Sequence, residues 1–548
     1  MESKRAFLAI FLSLGILLAY QYLVVVPSAP VNQAVVVDEE ATPQTAAAPI
    51  SSPPPAALSA IQPEPARPAR DVRIETSLYT AVVTEAGGGL KSLKLKQYRE
   101  DLAKDSGPKE LVVTREPVDL PFYFSWGTDP DALQAPFFEA DREALVVREN
   151  TSSALVMRSR LASGLEIVRT MVFRDDDYRI DLQVEVLNNT ADQLTGAPAL
   201  RLASRPLLPE HQTQGMFMGP ALYAGGELQQ FETDDLLKEG AKTVTGTIDW
   251  AAYEDTYFML AAIPEVGPAA PNAARFSVVD GDKTVILLSG VTGSLPPGGR
   301  AVYNYTLYSG PKKLSILKRM GTNLDRIVDF GWFDALARPT LYLLNFLYGY
   351  LKNYGVAIIL VTVLIKLAFW PIASKGMRSM KNMQKIQPKL AKLREKYKDD
   401  RERLNVEMMN LYKTYKVNPL GGCLPMFLQI PVFFALYKVL LQAIELRHAP
   451  FMFWINDLSA PDRLFIGFDI PYLGGLPVLT LLMGGSMFLQ QKMTPTSADP
   501  AQARVMMFLP VIFTFMFLNF ASGLVLYWFV NNLLAMAQQY LINRQVED

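Results

Sequence analysis

Tyr354 and Ala373 bound an apolar run whose main interruptions are Thr362 and Lys366. About twenty residues at roughly 1.5 Å each cross a hydrocarbon core of about 30 Å, so the run predicts a membrane span. Apolar runs at 420–444, 472–490, 505–520 and 524–541 predict four more. The last two are cut from one uncharged stretch, Val505–Tyr540, which as a single helix would be about 54 Å long. Ala521-Ser-Gly523 is read as the turn between them. Pro425 and Pro431 loosen the second run, and Lys438 near its far end is expected to snorkel. Gly474, Gly475, Gly484 and Gly485 in the third are expected to allow close helix contact. A sixth run at 6–26 follows Lys4 and Arg5. It is too long for the core of a cleaved signal peptide, so an uncleaved anchor is the better reading.

Upstream of the spans the period falls to two. Arg73-Ile-Glu-Thr-Ser, Ser92-Leu-Lys-Leu-Lys, Asp181-Leu-Gln-Val-Glu-Val and Ala301-Val-Tyr-Asn-Tyr-Thr-Leu-Tyr alternate polar and apolar residues. Gly87-Gly-Gly89, Asn188-Asn189, Asp280-Gly-Asp282 and Pro296-Pro-Gly-Gly299 supply the turns. Residues 71–310 therefore predict an all-β sandwich domain. Residues 27–70 are rich in Pro, Ala and Ser and read as a tether. Within 311–352, residues 311–335 predict an amphipathic helix. Pro339–Leu351, apolar but short and rich in tyrosine, predicts one lying in the membrane interface. Residues 353–548 form the helical core.

After Pro371–Ser374 the chain is expected to leave the membrane and become basic, with Arg378, Lys381, Lys385, Lys389, Lys392 and Arg394 foremost. Met377, Met380, Met383, Ile386, Leu390, Leu393 and Tyr397 recur every three or four residues. Leu404, Met408, Leu411, Tyr412 and Tyr415 repeat the pattern beyond Asp399-Asp400, until Asn418-Pro419. This predicts a helical hairpin over 375–417. Its methionines fill the seam or face varied apolar partners. Positive charge sorts the loops: Lys4, Arg5, the basic arm, Lys492, Arg504 and Arg544 fall on one side. The 445–470 loop, with Phe451, Phe453 and Trp454 as interface anchors, balances Arg447 and Arg463 against Glu445, Asp457 and Asp462. The result is a six-span α-helical membrane protein with both termini in the cytoplasm and the β-domain outside.

Half of the chain is hydrophobic and 20% is charged, which fits spans diluted by a large soluble portion. One cysteine, Cys423, excludes a disulfide within the chain, and no zinc, P-loop or dinucleotide motif occurs. Asp175-Asp-Asp177 reads as a solvated hairpin turn, and His211 as a surface loop residue. No cofactor, metal or nucleotide is expected, and no catalytic residue stands out. The residue that calls for a reason is Lys366, since a cation inside a span costs about 2.5–3.5 kcal/mol on insertion scales. It could snorkel to the inner surface. Alternatively it lines a hydrophilic groove with Thr362 on the same helix face, Gln429, and Tyr527, Trp528, Asn531 and Asn532 near the end of the last span.

Several stretches together resemble the YidC-type membrane protein insertases: Gln387-Pro-Lys, Glu407-Met-Met-Asn-Leu-Tyr-Lys, Val417-Asn-Pro-Leu-Gly-Gly-Cys-Leu-Pro, Gln429-Ile-Pro-Val-Phe-Phe-Ala-Leu-Tyr, Glu445-Leu-Arg-His-Ala-Pro, Gln491-Lys-Met-Thr-Pro and Ser522-Gly-Leu-Val-Leu-Tyr-Trp. The layout resembles a Gram-negative member: an anchor, a periplasmic supersandwich domain and a five-span insertase core with a cytoplasmic helical hairpin. The resemblance implies a non-enzymatic insertase and chaperone of the inner membrane, acting alone or with the Sec translocon and its accessory subunits. Its partners would be nascent membrane proteins, anionic lipids and, through the basic hairpin, the ribosome. The family's groove residue is typically arginine, and Lys366 keeps the charge without the guanidinium geometry. Two other classes compete: a small-molecule transporter or channel, and a membrane-tethered sugar-active protein.

Overall fold

The computed structural model describes residues 67–129, 135–207, 216–267, 269–397, 400–415, 424–471, 473–493 and 500–545. The expected anchor at 1–26, most of the tether at 27–70, His211 and residues 416–423, with the expected stop at Asn418-Pro419, lie outside them.

Strands from Asp71 to Pro311 build three sheets. The largest has nine strands, all paired antiparallel. Its middle strands are Phe258–Pro264, Arg300–Pro311 and Arg179–Asn188. The alternation Ile180, Leu182, Val184, Val186 buries one face of its strand, as a period of two requires. Phe258–Pro264 is buried at every position, because a second layer covers its other face. A six-stranded and a five-stranded sheet complete the domain. The entrance to it is tied by charge. Glu85, fully buried, accepts hydrogen bonds from Arg67 at 2.8 Å and from the backbone and guanidinium of Arg70 at 2.8 and 3.0 Å. The Asp175–Asp177 turn is only partly solvated. Asp175 is buried and its carboxylate accepts from the Ser77 N–H at 2.7 Å, which fastens the hairpin to the first sheet.

The helices, in chain order, are α1 (Thr233–Glu239), α2 (Leu314–Met320), α3 (Asp334–Leu351), α4 (Tyr354–Lys396), α5 (Arg401–Thr414), α6 (Leu424–Gln442), α7 (Val478–Met493), α8 (Pro500–Met516) and α9 (Ser522–Gln545). Three depart most from the sequence pattern. The expected helix at 311–335 is the short α2 followed by two 3-10 turns, because Gly321, Asn323 and Gly331 adopt left-handed backbone (φ +71°, +56° and +63°) that ends helical hydrogen bonding. α3 begins at Asp334 rather than Pro339 and ends at Lys352, also left-handed, before Asn353 caps α4 by accepting from the Val356 N–H at 3.0 Å.

The third difference is the largest. α4 does not end at Pro371–Ser374 but continues for 43 residues, about 64 Å. The expected span and the first hairpin helix are one element. Pro371 removes a backbone donor, and a neighbouring helix supplies side-chain bonds at that level. Beyond it, Met383, Ile386 and Leu390 pack with Met408, Leu411 and Tyr412 of α5. Lys389 contacts the ring and hydroxyl of Tyr415, while Arg403 lies over Tyr397, so the two segments run antiparallel.

Among the described residues, Tyr354–Met383 is the one stretch long and apolar enough to cross a membrane alone. Gln429–Gln442 and Met506–Asn519 are shorter apolar stretches. Gly474 and Gly475 lie in the loop before α7, not in a helix. Gly484 alone of the four sits at a tight helix contact, where a Cβ would clash with the Thr514 hydroxyl. The loop between α6 and α7 reaches the β-domain. Arg447 donates to the carbonyls of Arg99 and Glu100 at 2.8 and 2.9 Å.

Candidate functional site

α4, α6 and α9 surround a cavity of about 40 Å³, room for a few waters. The helical period explains its polar content. Thr362 and Lys366 are one turn apart on α4, and Tyr527 and Asn531 one turn apart on α9, so each helix turns two polar side chains to the same side. Gln429 enters from α6. Ile365, Phe369, Ile372 and Ala373 provide the apolar part of the lining.

The polar groups divide into a satisfied set and one outlier. The Gln429 amide donates to the Asn531 side-chain carbonyl at 3.0 Å and shares a hydrogen bond with Tyr527. Thr362, almost fully buried, donates its hydroxyl to the Ile358 carbonyl at 2.7 Å. Lys366 has no hydrogen bond or ion pair to the described residues. A cation facing neutral dipoles in a partly buried cavity keeps its field for whatever enters.

Five of the seven expected groove residues thus gather: Lys366, Thr362, Gln429, Tyr527 and Asn531. Trp528 does not join them. One residue on from Tyr527, it faces another side of α9, with its ring centre 4.6 Å from Phe433 and 5.1 Å from Phe517. Asn532 also turns away, donating to the Ser486 hydroxyl of α7 at 3.0 Å. Sequence reasoning passed over Gln538, whose buried amide meets α4 below the cavity. Its signal was the seven-residue, two-turn spacing from Asn531.

Arg378, Lys381, Lys385, Lys389 and Lys392 form a stripe along the far half of α4, with Arg394 beside it. All but the half-buried Lys381 are exposed. The apolar seam with α5 lies on the other side of the helix. Met383 and Met408 are in that seam, whereas Met409 is exposed.

Two family descriptions match the chain. The one described as YidC periplasmic domain matches residues 71–343, and the one described as 60Kd inner membrane protein matches residues 346–548. The membrane protein insertase YidC of Syntrophus aciditrophicus (strain SB) is 42% identical, over 99% of this chain and 99% of its own. The membrane protein insertase YidC of Pelobacter propionicus (strain DSM 2379 / NBRC 103807 / OttBd1) is 40% identical over 100% of both. A crystal structure of an active YidC insertase with its first transmembrane domain resolved is similar at 17% identity and a TM-score of 0.37, over 86% of this chain and 93% of that one.

Proposed function

The chain belongs to the YidC family of membrane protein insertases, and from that premise we propose that the cavity between α4, α6 and α9 is the hydrophilic groove through which it inserts its clients. It is an inner-membrane protein whose clients are nascent membrane proteins. The observation that carries the groove reading is Lys366, a cation without a partner among the described residues that faces the Gln429–Asn531–Tyr527 network.

A polar client segment crossing a bilayer loses its hydration over the full apolar thickness. A hydrated groove entering from the cytoplasm shortens that path, and Lys366 attracts acidic residues on the segment. The barrier falls without bond making or breaking, so the reading is of a non-enzymatic insertase and chaperone that needs no nucleotide.

The layout that goes with this reading is a six-span protein. An anchor at 1–26 and a tether at 27–70 lead to a periplasmic β-domain at 71–310. The connecting helices at 311–352 precede a five-span core, and both termini are cytoplasmic. The basic half of α4 with α5 forms the cytoplasmic hairpin, whose exposed cations suit anionic lipid and ribosomal RNA. Work beside the Sec translocon is compatible with a groove that faces lipid on one side. The names of the relatives give the transporter and sugar-active readings no support.

The test is insertion into liposomes that contain only this purified full-length chain. A single-span client should gain protease protection of its outer segment without Sec proteins or nucleotide. Sealed liposomes with folded protein and no protection would refute intrinsic insertion.

A further inference from the structure

α4 and α9 run side by side in the same direction and touch at both ends of the cavity. Above it, Ile358 packs at Gly523, where an added Cβ would lie in ordinary contact with its Cδ1 at 3.4 Å. Below it, the Gln538 amide donates to the Trp370 carbonyl at 3.4 Å and to the Ser374 hydroxyl at 3.2 Å. Between these contacts Thr362 and Lys366 of α4 face Tyr527 and Asn531 of α9 across the cavity, and Ala373 lines it beside the lower contact.

The lower contact falls where α4 is softest. Pro371 lies between the two acceptors, and without an N–H it leaves the carbonyl one turn back unpaired. Gln538 is 1% exposed, and its Oε1 has no partner among the described residues. If packing alone were required, methionine would fill the space without burying an unpaired acceptor. What the amide adds over methionine is therefore its two N–H donors.

We propose that Gln538 is a positioning residue of the groove. It pins α4 beside Pro371 and so fixes the turn that carries Lys366 against Asn531 and Tyr527. This rests on the groove reading above.

The test uses the full-length chain with Cys423→Ser and a reporter, Ala373→Cys, in inverted vesicles. A membrane-impermeant maleimide reads exposure of the cavity from the cytoplasmic side, and client insertion is followed in parallel. Gln538→Met should raise labelling, and slow insertion, by about fivefold, the factor that one net hydrogen bond supplies. Ser374→Ala added to Gln538→Met should change little more, since both remove the same bond. A folded Gln538→Met protein with parental labelling and insertion would overturn the proposal, as would additive effects of the two substitutions. A parent whose reporter thiol never labels would overturn the groove reading itself, and this proposal with it.

Discussion

The guanidinium of Arg447 lies 5.3 Å from the centre of the Phe258 ring, joining the α6–α7 loop to the β-domain. The same group donates to two carbonyls at the end of the Leu90–Arg99 strand. Arg447→Ala removes a stacked cation and two charged hydrogen bonds, together about 2 kcal/mol. Limited proteolysis should then cut the junction faster, with the β-domain's own melting transition kept. Arg447→Lys should recover less than half, because an ammonium cannot stack and fork at once.

Lys366 should matter most for clients that carry charge. Lys366→Ala is expected to slow insertion of a client with an acidic outer segment by about tenfold, the worth of one partly screened ion pair. A client with a neutral segment should be affected less, and Lys366→Arg should stay near the parent for both. Protease protection of the paired clients measures the difference. Equal loss for both would separate Lys366 from charge attraction.

The Gly484–Thr514 contact leaves no room for a methyl group. Gly484→Ala forces α7 and α8 apart and should cost about 1–3 kcal/mol. Gly485→Ala, which meets open space, should be neutral. Melting of the two variants in detergent checks the pair.

Glu85 makes the β-domain sensitive to acid. Burial alone would raise its carboxyl, but the hydrogen bonds from Arg67, Arg70 and the Ala140 N–H outweigh burial and hold it well below the usual range. A carboxyl depressed in the folded state stabilises above its unfolded value, about 4.3, and loses that contribution as pH falls through the folded one. Stability should therefore hold from neutral pH to about 5 and decline below. Glu85→Gln should lower stability at pH 7 and flatten the acid limb in a denaturant titration.

Glu254 behaves in the opposite sense. Burial raises its carboxyl against the opposing pull of Lys312, which bonds it directly, and Gln230 donates to it at 2.7 Å. Lys312→Met strands a buried carboxylate, at a cost of about 3 kcal/mol at pH 7. A carboxyl raised in the folded state is best tolerated protonated, so the loss should shrink as pH falls towards 4. Glu254→Gln with Lys312→Met should recover most of it, which a double-mutant cycle would read.

Much of this molecule was legible because polar residues are costly in apolar runs. Lys366, Thr362, Gln429, Tyr527 and Asn531 each stood out against such a background, and the fold brings them to one cavity. Alternation likewise placed the Arg179–Asn188 and Arg300–Pro311 strands. What escaped depended on partners distant in sequence. Trp528 looked equivalent to Tyr527 until Phe433 and Phe517 claimed its ring. Asp175 looked solvated until Ser77 reached it from a turn between two strands about a hundred residues earlier. Pro371 reads locally as a stop, and only packing against α9 shows how the helix passes it.

That α4 runs unbroken past Pro371 gives it a mechanical meaning. The basic stripe and Lys366 belong to one rod, gripped by α9 at Gln538. Torque applied to the exposed half therefore arrives at the cavity as a change of angle, with Pro371 as fulcrum. A load on the stripe is thereby in a position to change the width of the cavity from a distance.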